Sequence, residues 1–282
     1  MTQSAKSACY ADVTGVGYTL EDLPPLERGP INIAAFFQPK PQWDLPVDSE
    51  NFRGFRGELE IGSGKGTFLV QEAPRRPEVQ FLGIEYAKAF WRHAADRVRR
   101  HNLPNVRMLH AEAGLFVRVY VPDATFEQVH IYFPDPWPKA RHNKRRLVQA
   151  PFLRELWRIL KPAGRVRLAT DHEDYFAWMC DHAGQVSDIF DRLPFEPPES
   201  AGEGELVGSN FERKYRREGR VFNGMVLRTC PPSPIRHAWG CVRVRGCARR
   251  ALSAGDRAGV HAVTIFAISG GNILFSAPPA TT

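Results

Sequence analysis

The sequence predicts an α/β fold in which helices cover a doubly wound, mostly parallel β-sheet. Three observations favour it. Short apolar segments alternate with helical segments between residues 57 and 186, which is typical of parallel strands joined by crossover helices. A glycine-rich turn, GSGKG, follows the first strand at residues 62–66. Acidic residues, among them Glu85 and Asp135, follow later strands, at the sheet edge where ligands bind.

The predicted elements follow one another along the chain. The strand GELEI runs into the glycine-rich turn, and TFLVQEA predicts a short helix that stops near Pro74. Further strands are predicted at 79–86, 105–113, 128–133 and 165–171. Further helices are predicted at 87–102, 150–164 and 172–186, from apolar residues near helical spacing and from the Pro162 and Gly164 stop signals.

The two ends of the chain differ from this repeating pattern. Residues 1–50 are rich in proline and predict a partly extended N-terminal arm. Residues 51–228 form the main predicted domain, and its last segment, 208–228, is expected to add one or two antiparallel strands at the edge of the sheet. Residues 229–282 are rich in proline and arginine without clear periodicity, so we expect a poorly ordered C-terminal extension and assign it no function.

The net charge of +7 is concentrated at the C-terminal end. Residues 229–282 contain six arginines and one acidic residue, which leaves 32 basic and 30 acidic residues in 1–228. The main domain is therefore nearly neutral. A polyanionic partner has to be argued from local clusters of charge.

Cysteine usage and hydropathy exclude several classes of protein. The five cysteines are scattered and include no CxxC pair, so neither a disulfide framework nor a metal site is predicted. No segment approaches the roughly 18 apolar residues of a membrane-spanning helix. The N-terminus lacks an apolar signal core. We therefore expect a cytoplasmic protein without membrane attachment.

A nucleotide site is predicted around the glycine-rich turn. Gly62, Gly64 and Gly66 allow a tight turn and close approach of a ligand. Their G-x-G-x-G spacing differs from the G-x-G-x-x-G of NAD-binding units. Glu60 would repel a pyrophosphate and suits a cationic sulfonium with an amino-acid end, such as S-adenosylmethionine. Glu85 is positioned to hold ribose hydroxyls.

Glu112 and Asp135 are two further acidic residues that follow predicted strands. Glu112, at the end of the third strand, can meet an adenine edge or can be a surface acid. Asp135 lies between Pro134 and Pro136, which fix the backbone and give a stiff loop that presents one carboxylate at the ligand-binding crevice. Trp137 adds a flat face that suits packing or base stacking.

A basic run follows this loop. Five cations and His142 occur within the eight residues 139–146. Charge runs are usually solvated surfaces. This one adjoins the predicted Asp135 loop, so we interpret it as a contact surface for the phosphates of RNA.

Five blocks in the same order resemble the bacterial TrmB-type tRNA (guanine-N7-)-methyltransferases. They are LEIGSGKG, GIEYAK, YFPDPWPKARHNKRR, LATDHEDYF and SNFERKYRREGR, and the resemblance covers residues 50–228. It implies a Rossmann-like class I S-adenosylmethionine-dependent methyltransferase domain, with an antiparallel edge strand. Glu112 stands where the family usually has aspartate, and Ser209 where it usually has threonine. The family pattern ends near Arg228.

The resemblance implies a role for each matching residue. Asp135 is the catalytic position. The cofactor-binding set comprises Glu60, Gly62, Gly64, Gly66, Glu85, Glu112 and Asp135. The substrate-binding set comprises Lys139, Asp171, Ser209, Asn210, Phe211 and Glu212. The RNA-contacting run comprises Arg141, His142, Asn143, Lys144, Arg145 and Arg146. No metal is implied.

The function that follows is formation of N7-methylguanosine in tRNA, at guanosine 46 of the variable loop, with S-adenosylmethionine as methyl donor. Three alternatives stay open. They are an NAD-dependent oxidoreductase, a non-catalytic RNA-binding protein on a methyltransferase fold, and a methyltransferase with another substrate. We expect a monomer, with a homodimer as the alternative.

Overall fold

The predicted doubly wound, mostly parallel sheet is confirmed in a computed structural model that describes residues 12–45 and 54–230. Its eight strands are β1 (Gly17–Thr19), β2 (Gly57–Ile61), β3 (Gln80–Glu85), β4 (Val106–His110), β5 (Phe126–Tyr132), β6 (Leu160–Thr170), β7 (Phe190–Pro194) and β8 (Asn223–Thr229). They lie in the order β1-β4-β3-β2-β5-β6-β8-β7. All neighbouring strands from β1 to β6 are parallel.

The sheet reverses its direction of growth between β2 and β5. From β2, the chain adds β3 and β4 on one side, then returns to pair β5 with the other side of β2 and continues to β6. The loops after β2 and β5 therefore leave adjacent strands in opposite directions and open a crevice at the carboxyl edge. This topology brings Gly62–Gly66 and Asp135 to the same place.

The antiparallel strand is present but lies one position in from the edge. β8 pairs antiparallel with both β6 and β7, so β7 is the edge strand. Residues 208–228 supply β8, as predicted, and a helix before it. Residues 190–194 supply the edge strand.

The helices are α1 (Thr67–Glu72), α2 (Lys88–Arg100), α3 (Ala113–Tyr120), α4 (Ala150–Ile159), α5 (Glu173–Gly184) and α6 (Asn210–Arg216). α2 buries Trp91, Ala94, Ala95 and Val98, the spacing of one helical face. The sequence pattern did not predict α3. α4 ends before the predicted residue 164, because β6 begins at Leu160, earlier than the predicted residue 165.

The N-terminal arm is more folded than its proline content suggests. β1 pairs with β4, and short 3-10 turns occupy Leu20–Asp22, Leu26–Arg28 and Ile33–Phe37. Ile33, Ala35 and Phe36 are fully buried. Tyr18 meets Phe36 edge to face at 5.1 Å. The described part of the arm thus extends the sheet by one strand and adds to its core.

The described residues belong to one unit, Met1–Ala238. Of the predicted C-terminal extension, only Thr229 and Cys230 lie within the described residues. The helices of residues 12–45 and 54–230 include none with the length and hydropathy needed to cross a membrane.

Candidate active site

The glycine-rich turn after β2 forms an open cradle. Gly62, Gly64 and Gly66 all adopt left-handed backbone conformations, with φ of 79°, 53° and 67°. The N–H groups of Gly62 and Ser63 donate to the Ile84 carbonyl at 2.9 and 3.0 Å, which ties the turn to β3. A Cβ placed on Gly62 or Gly64 would meet no atom within 4 Å, so the turn is open on that side. Gly66 differs, because its Cβ would lie 3.0 Å from that of Ala94 in α2.

Glu85 fixes the shape of this cradle. One carboxylate oxygen accepts from Gly64 N–H at 2.8 Å and the other from Ala87 N–H at 2.7 Å. The side chain thereby joins the glycine turn to the start of α2. Each carboxylate oxygen keeps a second lone pair, so Glu85 retains the capacity to accept from a ligand.

Glu60 supplies a buried carboxylate without a full set of partners. The residue is 5% exposed, and its Oε2 has no hydrogen-bond partner among the described residues. Burial, reinforced by the neighbouring Glu85, raises the pKa of the Glu60 carboxyl to about 8. A buried acceptor left unpaired costs free energy until a donor or cation satisfies it. The residues around the cradle therefore fit a ligand that brings a cationic group to Glu60.

The other acid predicted to contact cofactor, Glu112, caps a helix. Its two oxygens accept from Gly114 N–H at 2.7 Å and Leu115 N–H at 2.6 Å, at the start of α3. This capping role was not predicted. A contact between Glu112 and adenine stays a prediction.

The Asp135 loop is held in an unusual backbone conformation. Phe133 and Trp137 flank Pro134–Asp135–Pro136 and have left-handed φ values of 53° and 44°. Such a conformation costs about 1–2 kcal/mol for a residue with a side chain. The loop is fixed from outside, since Phe133 N–H donates to the Ala169 carbonyl at 2.8 Å. Asp135 itself is exposed at the carboxyl edge of β5, as predicted.

A buried polar chain supports the strand that leads to this loop. His130 Nε2 lies 2.9 Å from Glu58 Oε2, and His130 Nδ1 lies 2.8 Å from the Tyr132 hydroxyl. Burial lowers the pKa of His130, so the ring is neutral and donates to Glu58. Burial disfavours the Glu58 carboxylate, but hydrogen bonds from His130 and Arg76 outweigh it and lower the pKa of Glu58. These groups join β2 to β5 beside the crevice.

Exposure differs along the predicted RNA-contacting run, residues 141–146, and at the preceding Lys139, which is predicted to contact substrate. Lys139, Arg141, Lys144 and Arg145 are exposed, and none of them pairs with a carboxylate among the described residues. The four cations lie on and beside the 3-10 turn Ala140–Arg145. His142 and Asn143 are half-buried.

Arg146 differs from the exposed cations of this run. It is 1% exposed and points into the protein, where it bonds to the Pro136 carbonyl and to Asp174. In this conformation it is not accessible to an RNA phosphate.

The predicted substrate-binding residues at the start of α6 differ in exposure and in their contacts. Phe211 is 38% exposed and stacks on Phe133. Ser209 caps the helix by accepting from Glu212 N–H at 3.1 Å. Glu212 is fully buried and accepts from the N–H groups of residues 206–208 and from Arg216. Glu212 thus holds its own loop in this structure, and its contact with substrate stays a prediction. Asn210 begins α6, and its side chain lies outside the described residues.

Asp171 lies beside the crevice, with a partner that the sequence analysis missed. It follows β6 and forms an ion pair with Arg220. Arg220 also stacks over Tyr215 at 3.8 Å. The basic residues of FERKYRREGR indicated that an arginine partner was available. The ion pair of Asp171 with Arg220 could not be predicted, because it joins segments far apart in sequence. Tyr86, next to Glu85 in sequence, and Phe90, in the first turn of α2, are exposed aromatic residues that were not singled out from the sequence.

Comparison with known proteins assigns the family. A family model described as "Putative methyltransferase" matches residues 57–222. A tRNA (guanine-N(7)-)-methyltransferase of Alkalilimnicola ehrlichii is 36% identical over 192 residues, which are 67% of this chain and 80% of that relative. The chain belongs to the tRNA (guanine-N7-)-methyltransferase family.

Two further matches are a second curated relative and a solved structure. A tRNA (guanine-N(7)-)-methyltransferase of Thermus thermophilus is 36% identical over 63% of this chain, and the match spans 56% of that relative. Among solved structures, the 16S rRNA methyltransferase KamB matches with a TM-score of 0.47 and 16% identity, over 72% of this chain and 99% of that chain.

Within residues 12–45 and 54–230 of this tRNA (guanine-N7-)-methyltransferase family member, no group of three or more His, Cys, Asp or Glu side chains is arranged to hold a metal ion.

Proposed function

We propose that this chain transfers a methyl group from S-adenosylmethionine to N7 of guanosine 46 in the variable loop of tRNA. One structural relationship carries the proposal. The glycine cradle follows β2, the strand that carries Glu60, whose Oε2 has no hydrogen-bond partner among the described residues, and the exposed Asp135 follows the adjacent strand β5. The turn that would hold the cofactor and the stiff loop that carries the carboxylate would therefore share one crevice.

The cofactor-binding part of the proposal is supported by charge and space. S-adenosylmethionine carries an electrophilic methyl group on a cationic sulfur. Glu60 would accept from its ammonium group, which would satisfy the Oε2 that has no partner among the described residues. Glu85, which already fixes the turn, would use its remaining lone pairs for ribose hydroxyls. Gly62 and Gly64 leave the space above the turn open.

The reaction requires placement more than proton transfer. N7 of guanine has an in-plane lone pair, so the N–C bond can form without prior removal of a proton. The S–C bond breaks and its electron pair remains on sulfur. Asp135 would accept hydrogen bonds from the guanine edge and offset the positive charge that develops on the base. The stiff loop suits this role, because the carboxylate needs little reorganisation.

The exposed cations next to Asp135 are suited to the RNA. Lys139, Arg141, Lys144 and Arg145 lack carboxylate partners among the described residues, so their charge is available to phosphates. Phosphate contacts would fix the position of the tRNA while recognition relies on its shape.

Incubation with unmodified tRNA and labelled S-adenosylmethionine tests the proposal. The label should enter tRNA, and reduction followed by aniline cleavage should map 7-methylguanosine to position 46. An Asp135→Ala enzyme serves as the matched control and should leave the tRNA unmodified. Label at another position would overturn the assignment to guanosine 46, and absence of any 7-methylguanosine would overturn the proposed reaction. Protection against thermal unfolding by S-adenosylhomocysteine, compared with NAD, tests the cofactor separately.

A further inference from the structure

Arg146 is the last cation of the basic run and differs from its neighbours in position. Its side chain is 1% exposed, whereas that of the preceding residue, Arg145, is exposed over the Trp137 ring at 5.0 Å. A guanidinium hidden from water is costly unless hydrogen bonds and opposite charge compensate for it. The contacts of Arg146 therefore indicate its role.

Those contacts join the Asp135 loop to helix α5. Arg146 Nε donates to the carbonyl of Pro136, the residue directly after Asp135, at 2.9 Å. Its Nη2 forms an ion pair with Asp174 in the first turn of α5. The guanidinium thus bridges a loop carbonyl and a helix carboxylate with two of its nitrogens.

Two aromatic rings of α5 hold the guanidinium in place. Its central carbon lies 5.0 Å from the centroid of Tyr175 and 5.2 Å from that of Trp178. Both rings are fixed by the backbone of Val148, whose N–H donates to the Tyr175 hydroxyl at 3.2 Å and whose carbonyl accepts from Trp178 at 2.8 Å. The planar guanidinium suits this space, and a lysine ammonium would lose the bridging geometry.

Arg146 also lies where the loop is under strain. The peptide that contains the Pro136 carbonyl leads directly into Trp137, with its left-handed φ of 44°. A left-handed conformation persists when surrounding contacts over-determine it. Arg146 supplies one such contact at the residue next to Asp135.

We propose that Arg146 is a positioning residue, which fixes the Asp135 loop against α5 for methyl transfer and does not bind RNA phosphate. This inference rests on the proposed function. In the run RHNKRR, the exposed cations would then contact tRNA, whereas the internal Arg146 would hold the geometry of the site.

The test uses Arg146→Lys, which keeps the charge and removes the bridge. The single-turnover rate at saturating tRNA and cofactor should fall by about tenfold or more, since small displacements of reacting groups are costly. The tRNA dissociation constant should stay within about twofold of wild type, with the same salt dependence. Hydrogen exchange at residues 137–147 should become faster in the free protein. In contrast, Arg145→Met should weaken tRNA binding and flatten its salt dependence.

The matched control is Arg158→Lys. Arg158 is a half-buried arginine near the end of α4, directly before the amino end of β6, and it donates to the carbonyls of Val117 and Val121 at 2.7 and 2.8 Å. Its replacement should lower thermal stability without changing the rate at saturation. Equal rate losses in both lysine variants at equal stability would overturn the proposal.

Further results of these experiments would support or overturn the proposed role of Arg146. Weaker tRNA binding with a flatter salt dependence and an unchanged rate in Arg146→Lys would assign Arg146 to RNA and overturn the proposal. If Arg146→Lys does not fold, Asp174→Asn tests the proposal instead. The Asp174 side chain is 66% exposed, and asparagine has nearly the same shape as aspartate. A lower rate would then support the bridge, and an unchanged rate would overturn it. A wild-type chain inactive on tRNA would overturn the proposed function alone, since hydrogen exchange still tests the link between Arg146 and the loop.

Discussion

Phe133 and Phe211 stack with their ring centroids 5.0 Å apart and 28° between their planes. Phe133 lies two residues before Asp135, and Phe211 is the second residue of α6. Phe222 packs edge to face against Phe133 at 5.6 Å. These rings join the Asp135 loop to the segment that the family resemblance implicates in substrate binding.

Replacement of Phe211 tests whether this stack supports catalysis. Phe211→Ala removes an aromatic pair worth about 0.5–1.5 kcal/mol beyond its buried area, so we expect a fall in the melting temperature of a few degrees. The rate of methyl transfer should fall further than this modest loss of stability explains, because the loop loses support. Thermal unfolding and single-turnover kinetics measure the two effects. Phe211→Tyr keeps the ring and should retain the rate, and an unchanged rate in Phe211→Ala would contradict the role of the stack.

Asp135 itself should affect chemistry more than binding. In Asp135→Ala the guanine edge loses its acceptor and the developing charge loses its counterpart, so we expect a loss in rate of about 100-fold or more at saturation. Binding of tRNA should be largely retained, because the exposed cations are unchanged. Filter binding and single-turnover assays on one preparation separate the two. A parallel loss of rate and affinity would argue against the catalytic assignment.

The buried acid Glu58 should affect stability. Glu58→Ala leaves His130 and Arg76 without their shared acceptor, and removal of one partner from a buried charged pair costs about 3–5 kcal/mol. Urea unfolding at neutral pH should show this loss. Glu58→Gln keeps an acceptor and should lose less. Equal stability of the Ala variant and the wild type would mean that this polar chain does not hold β2 to β5.

Much of the fold follows from local sequence pattern. Strands β2 to β6 and β8, the glycine turn and the Asp135 loop are found near their predicted positions, since each is specified by period, glycine or proline within a few residues. The β1 strand was not predicted, because its three residues acquire their role only by pairing with β4. The long β6 likewise begins inside a segment whose composition favours helix.

Side-chain roles were harder to predict, for a physical reason. Arg146 and Glu212 stand in charged runs, where exposure is the ordinary expectation. Their burial depends on partners from other segments, the rings of α5 for Arg146 and the N–H groups of residues 206–208 for Glu212. Sequence motifs predict which residues belong to the site, and long-range packing decides which of their side chains are exposed.

The exposed cations should govern the salt dependence of tRNA binding. Arg141→Ala and Arg145→Ala together remove two charges beside the loop, and each lost phosphate contact should reduce the slope of log affinity against log salt by about 0.7–0.9. Binding titrations over a range of salt concentrations measure this slope. Arg99, an exposed arginine in the last turn of α2, is the control, and Arg99→Ala should leave the slope unchanged. The same slope in wild type and the double variant would make the run a solvated surface.

Glu60 should make cofactor binding depend on pH. Its pKa is raised to about 8 in the folded protein, so between its unfolded value near 4.5 and about 8 the native state holds a proton that the unfolded state has released. Stability of the free protein therefore falls as pH rises through this window. A ligand ammonium group favours the ionised carboxylate, so binding of S-adenosylhomocysteine should release a proton and tighten as pH rises towards 8. Calorimetry in buffers of different ionisation enthalpy measures both the proton release and the affinity.

Glu60→Gln provides the matched control for this pH dependence. It removes the titration and keeps a hydrogen-bond acceptor of nearly the same shape. Between pH values of about 6 and 7.5 the wild-type affinity should rise by up to about tenfold per pH unit, whereas that of the variant should stay flat and be weaker near pH 8. The unfolding free energy of the free variant should also lack the decline assigned to Glu60. Equal pH dependence in the two proteins would mean that Glu60 does not bear the cation, and the ammonium group would then have to be assigned to another acceptor at the crevice.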